Sequence, residues 1–242
     1  MRHQNSLKIS IIVPAYNEEN YIGVCLNHIR DNANWLVYEI VVVDNASTDG
    51  TAEIVEKFEW VRLVKEAKKG LTCARQRWYL SATWDVLAYL DADTQMGPER
   101  ITKVYQAFIS DPDLVFLSGP YDYYDIPARK QLGLRFYRLF AYVISLFTWY
   151  LGVGGNMIMR KSMLDKVGGF DTSIAFYGED TDIARRAKTQ GKCRFMLDLI
   201  MSTSARRLYG QGSFKTGYLY FMNFLSEAFL HKPYTQEYED FR

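Results

Sequence analysis

Cysteine is scarce in this sequence: three residues in 242, at positions 25, 73 and 193, odd in number, far apart and without metal-ligand spacing. That excludes a disulfide framework and a cysteine metal cluster, and it fits core thiols in a reducing compartment. Excess charge is lacking too. The 29 Lys and Arg nearly balance the 28 Asp and Glu, for a formal net charge of +1, so nothing recommends nucleic acid as a partner and any anion binding must be local. A run of the roughly 20 apolar residues that span a bilayer is missing. The most apolar stretch, Leu139 to Val153, stops short of it. No secretory signal precedes the first apolar run, so the cytosol is the expected location. Internal repeats, low-complexity tracts and linkers are absent as well, which argues for one domain.

What the sequence does contain is an alternation of two periodicities. Ile9-Ser10-Ile11-Ile12-Val13, Ile40 to Val43, Val61 to Val64 and Val86 to Leu90 are short apolar runs of the kind that form fully buried strands. Between them lie helical patterns. One is capped by Asn17, with Glu18 and Glu19 in its first turn and Ile22, Leu26 and Ile29 on one face; the others carry Ile54, Val55 and Phe58, then Leu71 to Thr83. Further on come a helix from Pro98, a strand at Leu114 to Leu117, a helix opening at Gly178 and a last helix from about Ser213. Alternating strands and helices predict an α/β fold with a Rossmann-like, mainly parallel central sheet flanked by helices. Nearly half the residues are apolar, enough for a sizeable core.

Asp91 and Asp93 follow the Val86 to Leu90 strand one residue apart. Extended backbone puts such a pair on one face, and two hard oxygen anions suit Mg²⁺ or Mn²⁺ held together with a phosphorylated ligand. A turn leading to the helix at Pro98 explains the same residues. Ligands of open α/β sheets bind beyond the carboxyl ends of the strands, where Pro14 to Glu19, Asp44 to Asp49 and Asp91 to Thr94 all lie.

The ordered set resembles an inverting family-2 glycosyltransferase of the GT-A fold. Its pieces are Pro14-Ala15-Tyr16-Asn17-Glu18-Glu19, Val42 to Thr51, Lys69-Gly70 with Ala74-Arg75, Asp91-Ala92-Asp93, Gly154-Gly155-Asn156, Gly168-Gly169-Phe170-Asp171 and Gly178-Glu179-Asp180-Thr181-Asp182. The resemblance implies a single domain over 1–242, with a nucleotide-sugar-binding lobe (1–95), an acceptor and catalytic lobe (96–212) and a C-terminal helical extension (213–242). It also implies roles. Pro14, Tyr16, Glu18, Asp44, Lys69, Arg75, Asp91, Ala92, Asp93 and Asn156 would bind the nucleotide sugar, with Asp93 and Asp91 on a Mn²⁺ or Mg²⁺ ion. Asp180 would be the catalytic base and Glu179 its neighbour, whose charge would raise the Asp180 pKa. Acids in the first turn of a helix are also ordinary dipole partners.

The donor implied is a UDP-sugar, with GDP- and dTDP-sugars open, and the acceptor a sugar, a lipid-linked glycan or a cell-envelope glycan. Many processive relatives carry Gln-x-x-Arg-Trp after the catalytic helix; here Ser202 to Arg207 stands instead, so Arg206 and Arg207 are candidate diphosphate or acceptor contacts. His231 is a candidate further metal ligand, with packing or solvent contact as the plainer reading. Arg135 and Arg138 precede the Leu139 to Val153 segment, and Trp149 and Tyr150 lie near its end. That distribution suits a helix at a membrane surface, but a buried core helix is the preferred reading. Together with the aromatic stretch Tyr218 to Leu230, it extends the expectation to peripheral contact at the inner face of the cell membrane. Two rivals remain. A sugar nucleotidyltransferase would need a glycine-rich phosphate loop where Pro14 to Glu18 stands, and a non-catalytic nucleotide-sugar-binding protein would not need Asp180.

Overall fold

Alternate residues of the apolar runs face opposite sides of one sheet. The structure is a computed structural model describing residues 7–174 and 177–235, with backbone alone at 128–132, 134–136 and 213–214. The first half runs β1 (Ile9–Ala15), α1 (Ile22–Asn32), β2 (Val37–Asp44), α2 (Thr51–Val55), β3 (Arg62–Lys65), α3 (Leu71–Ser81) and β4 (Val86–Tyr89). Then come β5 (Thr94–Gln95), α4 (Arg100–Ser110), β6 (Leu114–Ser118), β7 (Tyr121–Tyr123) and α5 (Ala128–Thr148). The rest is β8 (Met157–Arg160), α6 (Lys161–Val167), α7 (Glu179–Lys188), β9 (Lys192–Phe195), β10 (Met201–Thr203), α8 (Arg206–Gly210) and α9 (Ser213–Leu230).

The central sheet has the order β3-β2-β1-β4-β8-β6-β9, and every neighbouring pair is parallel except those made by β8. Ile11, Val13, Val42 and Ala88 point into a core with α1 and α4, while Ile12, Val41, Val43, Leu87 and Tyr89 point into a second core with α3, α6 and α7. Because both parities are covered, the runs are apolar at nearly every position, and the exception, Ser10, is buried with its hydroxyl donating to Glu39 at 2.6 Å. The chain leaves β1 for β2 on one side, and β4 closes the other, so the crevice of a switch point opens beyond β1 and β4. A small sheet, β5-β10-β7, stands against that edge.

Three expectations are corrected. Asn17 does not cap a helix. Its backbone is left-handed (φ 51°), its Oδ1 accepts the Thr48 N–H at 2.8 Å, and α1 begins only at Ile22. The apolar segment is not an isolated core helix over 139–153, because α5 starts at Ala128 and ends at Thr148, where Trp149 turns left-handed. Nor is it buried: Leu139, Phe140, Val143, Leu146 and Phe147 are exposed, and Phe147 is 80% accessible. Arg138 turns inward, pairing with Asp122 at 2.8 Å and donating to the Tyr121 carbonyl, so it docks α5 on β7. The Arg135 side chain lies outside the described residues.

Candidate active site

A cleft of about 1340 Å³ opens beyond the carboxyl ends of β1 and β4. It collects most of the residues singled out above. At the end of β1, the Tyr16 hydroxyl accepts a 2.6 Å hydrogen bond from Lys69, whose ammonium also stands 4.1 Å from the Tyr16 ring centre. Lys69 is presented by a loop that Asn45 ties down. The Asn45 amide donates to the Glu66 and Lys68 carbonyls, and its oxygen accepts the Gly70 N–H at 2.8 Å. Asp44 is buried at the end of β2, accepts the Ser47 N–H at 3.1 Å and is not among the cleft-lining residues; its neighbour Asn45 is.

Beyond β4, Asp91-Ala92-Asp93 forms a turn that lies on the cleft. Thr94 N–H donates to the Asp91 carbonyl at 3.1 Å and the Thr94 hydroxyl to the same oxygen at 2.7 Å. That turn carries both carboxylates into the cleft. Asp91 Oδ2 accepts the Tyr121 hydroxyl at 3.1 Å, and its Oδ1 lies 3.9 Å from Arg75. Asp93 accepts the Thr203 hydroxyl at 3.2 Å on one oxygen and Arg206 Nε at 3.0 Å on the other. Burial raises the Asp93 pKa, with Arg206 opposing and Asp91 adding to the rise.

The acids of α7 enter from the other side. Gly178 (φ 93°) makes the left-handed entry to the helix, a conformation that favours glycine. Glu179 is buried and accepts Arg75 Nη1 at 2.7 Å; Asp180 Oδ1 accepts the Thr181 N–H at 2.7 Å. The Glu179 carboxyl is pushed up to about 7, chiefly by burial, with Arg75 opposing and the Asp180 charge adding. The Asp180 pKa is raised as well, and the main cause is burial rather than the neighbouring glutamate on which the sequence reading relied.

The loop before β8 threads between these groups, and its glycines are there for space. A Cβ on Gly155 would overlap the Asp91 carboxylate, one on Gly154 would stand 3.1 Å from Arg75, and one on Gly152 2.5 Å from the Asp180 carbonyl. Asn156, expected to face the donor, is fully buried behind the cleft instead, bonded to Arg100 and to the Pro120 and Leu199 carbonyls. Gly168 ends α6 with φ 81°, and Phe170 packs on Tyr89 away from the cleft. His231 caps the end of α9, its ring nitrogen 3.3 Å from the Glu227 carbonyl, and it is not among the residues lining the cleft.

Sequence reasoning missed Asn45, Tyr121 and Thr203. Tyr121 accepts the Gly155 N–H at 2.6 Å and holds Asp91, so it couples the glycine loop to the strand-end acid. Tyr121 and Thr203 sit on β7 and β10, whose two or three paired residues leave no periodic signal. The far half of the cleft is apolar, walled by Tyr137, Phe140 and Ile144 of α5 and Phe221 and Phe224 of α9. Arg207 lines the cleft beside Tyr220.

The donor set fits a divalent cation carried with a phosphorylated ligand. Among the described residues no three acidic, histidine or cysteine side chains converge as a cage. Asp93 and Asp91 offer hard oxygens at the cleft, and the rest of a Mg²⁺ or Mn²⁺ shell is of the kind that phosphate and water supply.

The model of glycosyl transferase family 2 matches residues 10–168. Over 112 residues the chain is 36% identical to a dolichol-phosphate mannosyltransferase of Pyrococcus furiosus, a match covering 45% of this chain and 32% of that protein. Two solved structures share the fold. A mannosyltransferase from Pyrobaculum calidifontis in complex with GDP-Man and Mn²⁺ superposes with a TM-score of 0.72 at 21% identity, over 94% of this chain and 64% of that one. A glucosyl-3-phosphoglycerate synthase from Mycobacterium tuberculosis with Mn²⁺, UDP and phosphoglyceric acid gives 0.66 at 18% identity, over 92% and 79%. The chain thus spans about a third of the mannosyltransferase it matches in sequence, and under two thirds of the Pyrobaculum one. The mainly parallel sheet with its flanking helices is the GT-A fold.

Proposed function

The chain belongs to glycosyl transferase family 2, and on that premise we propose that it moves a sugar from a nucleoside-diphosphate sugar to an acceptor hydroxyl by a single displacement that inverts the anomeric carbon. The observation that carries this reading is Arg75. One buried guanidinium pairs with Glu179 at 2.7 Å and stands 3.9 Å from Asp91, so the acids of α7 and the strand-end carboxylates work in one cleft.

The proposal divides the work by position. Pro14, Tyr16, Glu18 and Ala92 face the nucleotide end of the cleft, with Lys69 beside them as a donor to its oxygens. Asp93 with Asp91 would hold a Mg²⁺ or Mn²⁺ ion, whose positive charge would stabilise the leaving diphosphate. Asp180 receives the proton of the acceptor hydroxyl. Its Oδ1 is engaged by the Thr181 N–H, which leaves Oδ2 for that proton, and the raised pKa brings the base nearer neutral pH. The acceptor oxygen bonds to the anomeric carbon as the bond to the diphosphate breaks, and the electron pair stays on the diphosphate. Arg75 holds Glu179 aside, so it orients the pair rather than taking a proton.

The cleft is larger than the roughly 300–1000 Å³ of common small-molecule sites, which leaves room for donor and acceptor together. Its apolar half and the exposed apolar side of α5 and α9 support a lipid-linked acceptor and peripheral contact at the inner face of the cell membrane, in the cytosol. A relative named for dolichol phosphate supports the same choice. No helix among the described residues is long and apolar enough to cross a membrane.

A thermal-shift screen of UDP-, GDP- and dTDP-sugars with and without Mn²⁺ tests the donor, with a UDP-sugar first. Product analysis then reads the anomeric configuration. Asp180→Asn should cut transfer by about 10²–10⁴-fold while donor affinity stays within about threefold. Retained configuration, unchanged transfer by the variant, or equal binding of every donor without metal would each defeat part of the proposal.

A further inference from the structure

Arg206 opens α8 and reaches two carboxylates at once. Its Nη2 donates to Glu18 at 2.6 Å and its Nε to Asp93 at 3.0 Å, while its guanidinium carbon stands 4.6 Å from the Tyr21 ring centre. The backbone beneath it is pinned. Asp125 accepts the Ser204 hydroxyl and the Ala205 N–H, both at 2.7 Å, so the start of α8 is fixed and any change of partner falls to the long side chain. Thr203, the last residue of β10 and next to this anchor, holds the other oxygen of Asp93.

Resting on the nucleotide-sugar reading above, we propose that Arg206 sets the order in which the site is loaded: it opposes a divalent cation arriving alone and yields Asp93 to one that arrives with a nucleoside diphosphate. The physical reason is competition for one carboxylate. A cation binding Asp93 by itself must take an oxygen that Arg206 already holds and then lie beside an unreleased guanidinium, two like charges in a partly desolvated cleft. A diphosphate changes the balance. It brings negative charge of its own and oxygens spaced for the guanidinium fork, so Arg206 exchanges Asp93 for phosphate without losing its hydrogen bonds. Glu18 keeps the side chain near the site during the exchange, since it is buried and contacts the same guanidinium. The site therefore selects the metal–diphosphate chelate over the free ion.

Mn²⁺ binding to the full chain, read from the electron paramagnetic resonance signal of free aqueous Mn²⁺, tests this apart from activity. Without nucleotide, Arg206→Gln should bind Mn²⁺ at least tenfold more tightly than the unaltered protein. With UDP or GDP present the order should reverse, with Mn²⁺-dependent nucleotide binding at least tenfold weaker in the variant. Arg206→Lys keeps the charge without the fork, so it should bind Mn²⁺ alone as weakly as the unaltered protein and recover nucleotide binding only in part. Equal or weaker binding of Mn²⁺ alone by Arg206→Gln overturns the proposal. Should that variant not fold, Glu18→Gln carries the test with the opposite sign: freed from Glu18, Arg206 holds Asp93 harder and Mn²⁺ alone binds at least threefold more weakly, and tighter or unchanged binding overturns it. Failure of every protein to bind either nucleotide counts against the donor reading, whereas the comparison without nucleotide still decides the contest between Arg206 and the metal.

Discussion

Arg75 and Glu179 meet at 2.7 Å with both side chains buried, at positions 104 residues apart in the chain. The guanidinium is the junction between α3 and the start of α7, and its second arm faces Asp91. A buried cation between two carboxylates is a strong constraint for removal and a weak one for net stability, because each ion gave up its hydration to be there.

Arg75→Met should therefore destabilise the fold by about 3–5 kcal/mol, since it strands Glu179 as an unpaired buried acid. Urea unfolding measures it. The double variant with Glu179→Gln should recover much of the loss; a single-variant cost below about 1 kcal/mol would mean that the pair behaves like a surface salt bridge.

Glu179 also sets a pH dependence. Its carboxyl lies near 7 in the folded protein and at the ordinary 4.5 when unfolded, so between these values the folded state holds the extra proton. Its contribution to stability is full below about 4.5 and drains away as pH rises to about 7, then levels off. The gap in melting temperature between the unaltered protein and Glu179→Gln should shrink or turn negative across that window. A gap that stays constant from pH 5 to about 7.5 contradicts the shift.

Gly155→Ala places a methyl group on the Asp91 carboxylate and within 2.5 Å of the Tyr121 hydroxyl. The backbone tolerates alanine there, so the effect is a displaced Asp91. We expect transfer to fall by about 10²-fold, as misplacement near 1 Å does, with Mn²⁺-dependent donor binding weakened in calorimetry. Tyr121→Phe should restore room and part of the activity in the double variant; full activity in Gly155→Ala alone would show that Asp91 has slack.

The exposed rings of α5 and α9 are testable without any substrate. Phe147 and Phe229 are 80% and 76% accessible and lie outside the cleft lining. Each buried phenyl ring contributes about 1.5–3 kcal/mol, so the paired change Phe147→Glu and Phe229→Glu should weaken sedimentation with phospholipid vesicles by tenfold or more. Donor affinity should stay within about twofold. Equal partitioning of the unaltered protein with and without vesicles would remove the membrane contact.

The parts legible in the sequence are those whose signal is local. Ile9 to Val13, Ile40 to Val43 and Val86 to Leu90 are apolar at every position but Ser10 because both faces of the sheet are covered, and that pattern identifies buried parallel strands. Asp91 and Asp93 were visible because they interrupt such a run where ligands bind. Asn17 misled for a local reason: a cap residue before a helical pattern is ordinary, but here Ser47 and Thr48, 30 and 31 residues away, claim its backbone and side chain respectively. The same limit applies to α5, whose apolar composition favours a buried helix by itself although its rings are exposed in the fold.

By itself, then, the sequence determined the α/β architecture, the strand ends that carry acids and the order of motifs, since each depends on periodicity within some ten residues. Tertiary structure decided which acid meets which cation. Arg206 reaches Glu18 across 188 positions and Arg75 reaches Glu179 across 104. Charge pairing depends on distance in space and on burial, and neither is written in the spacing of residues along the chain.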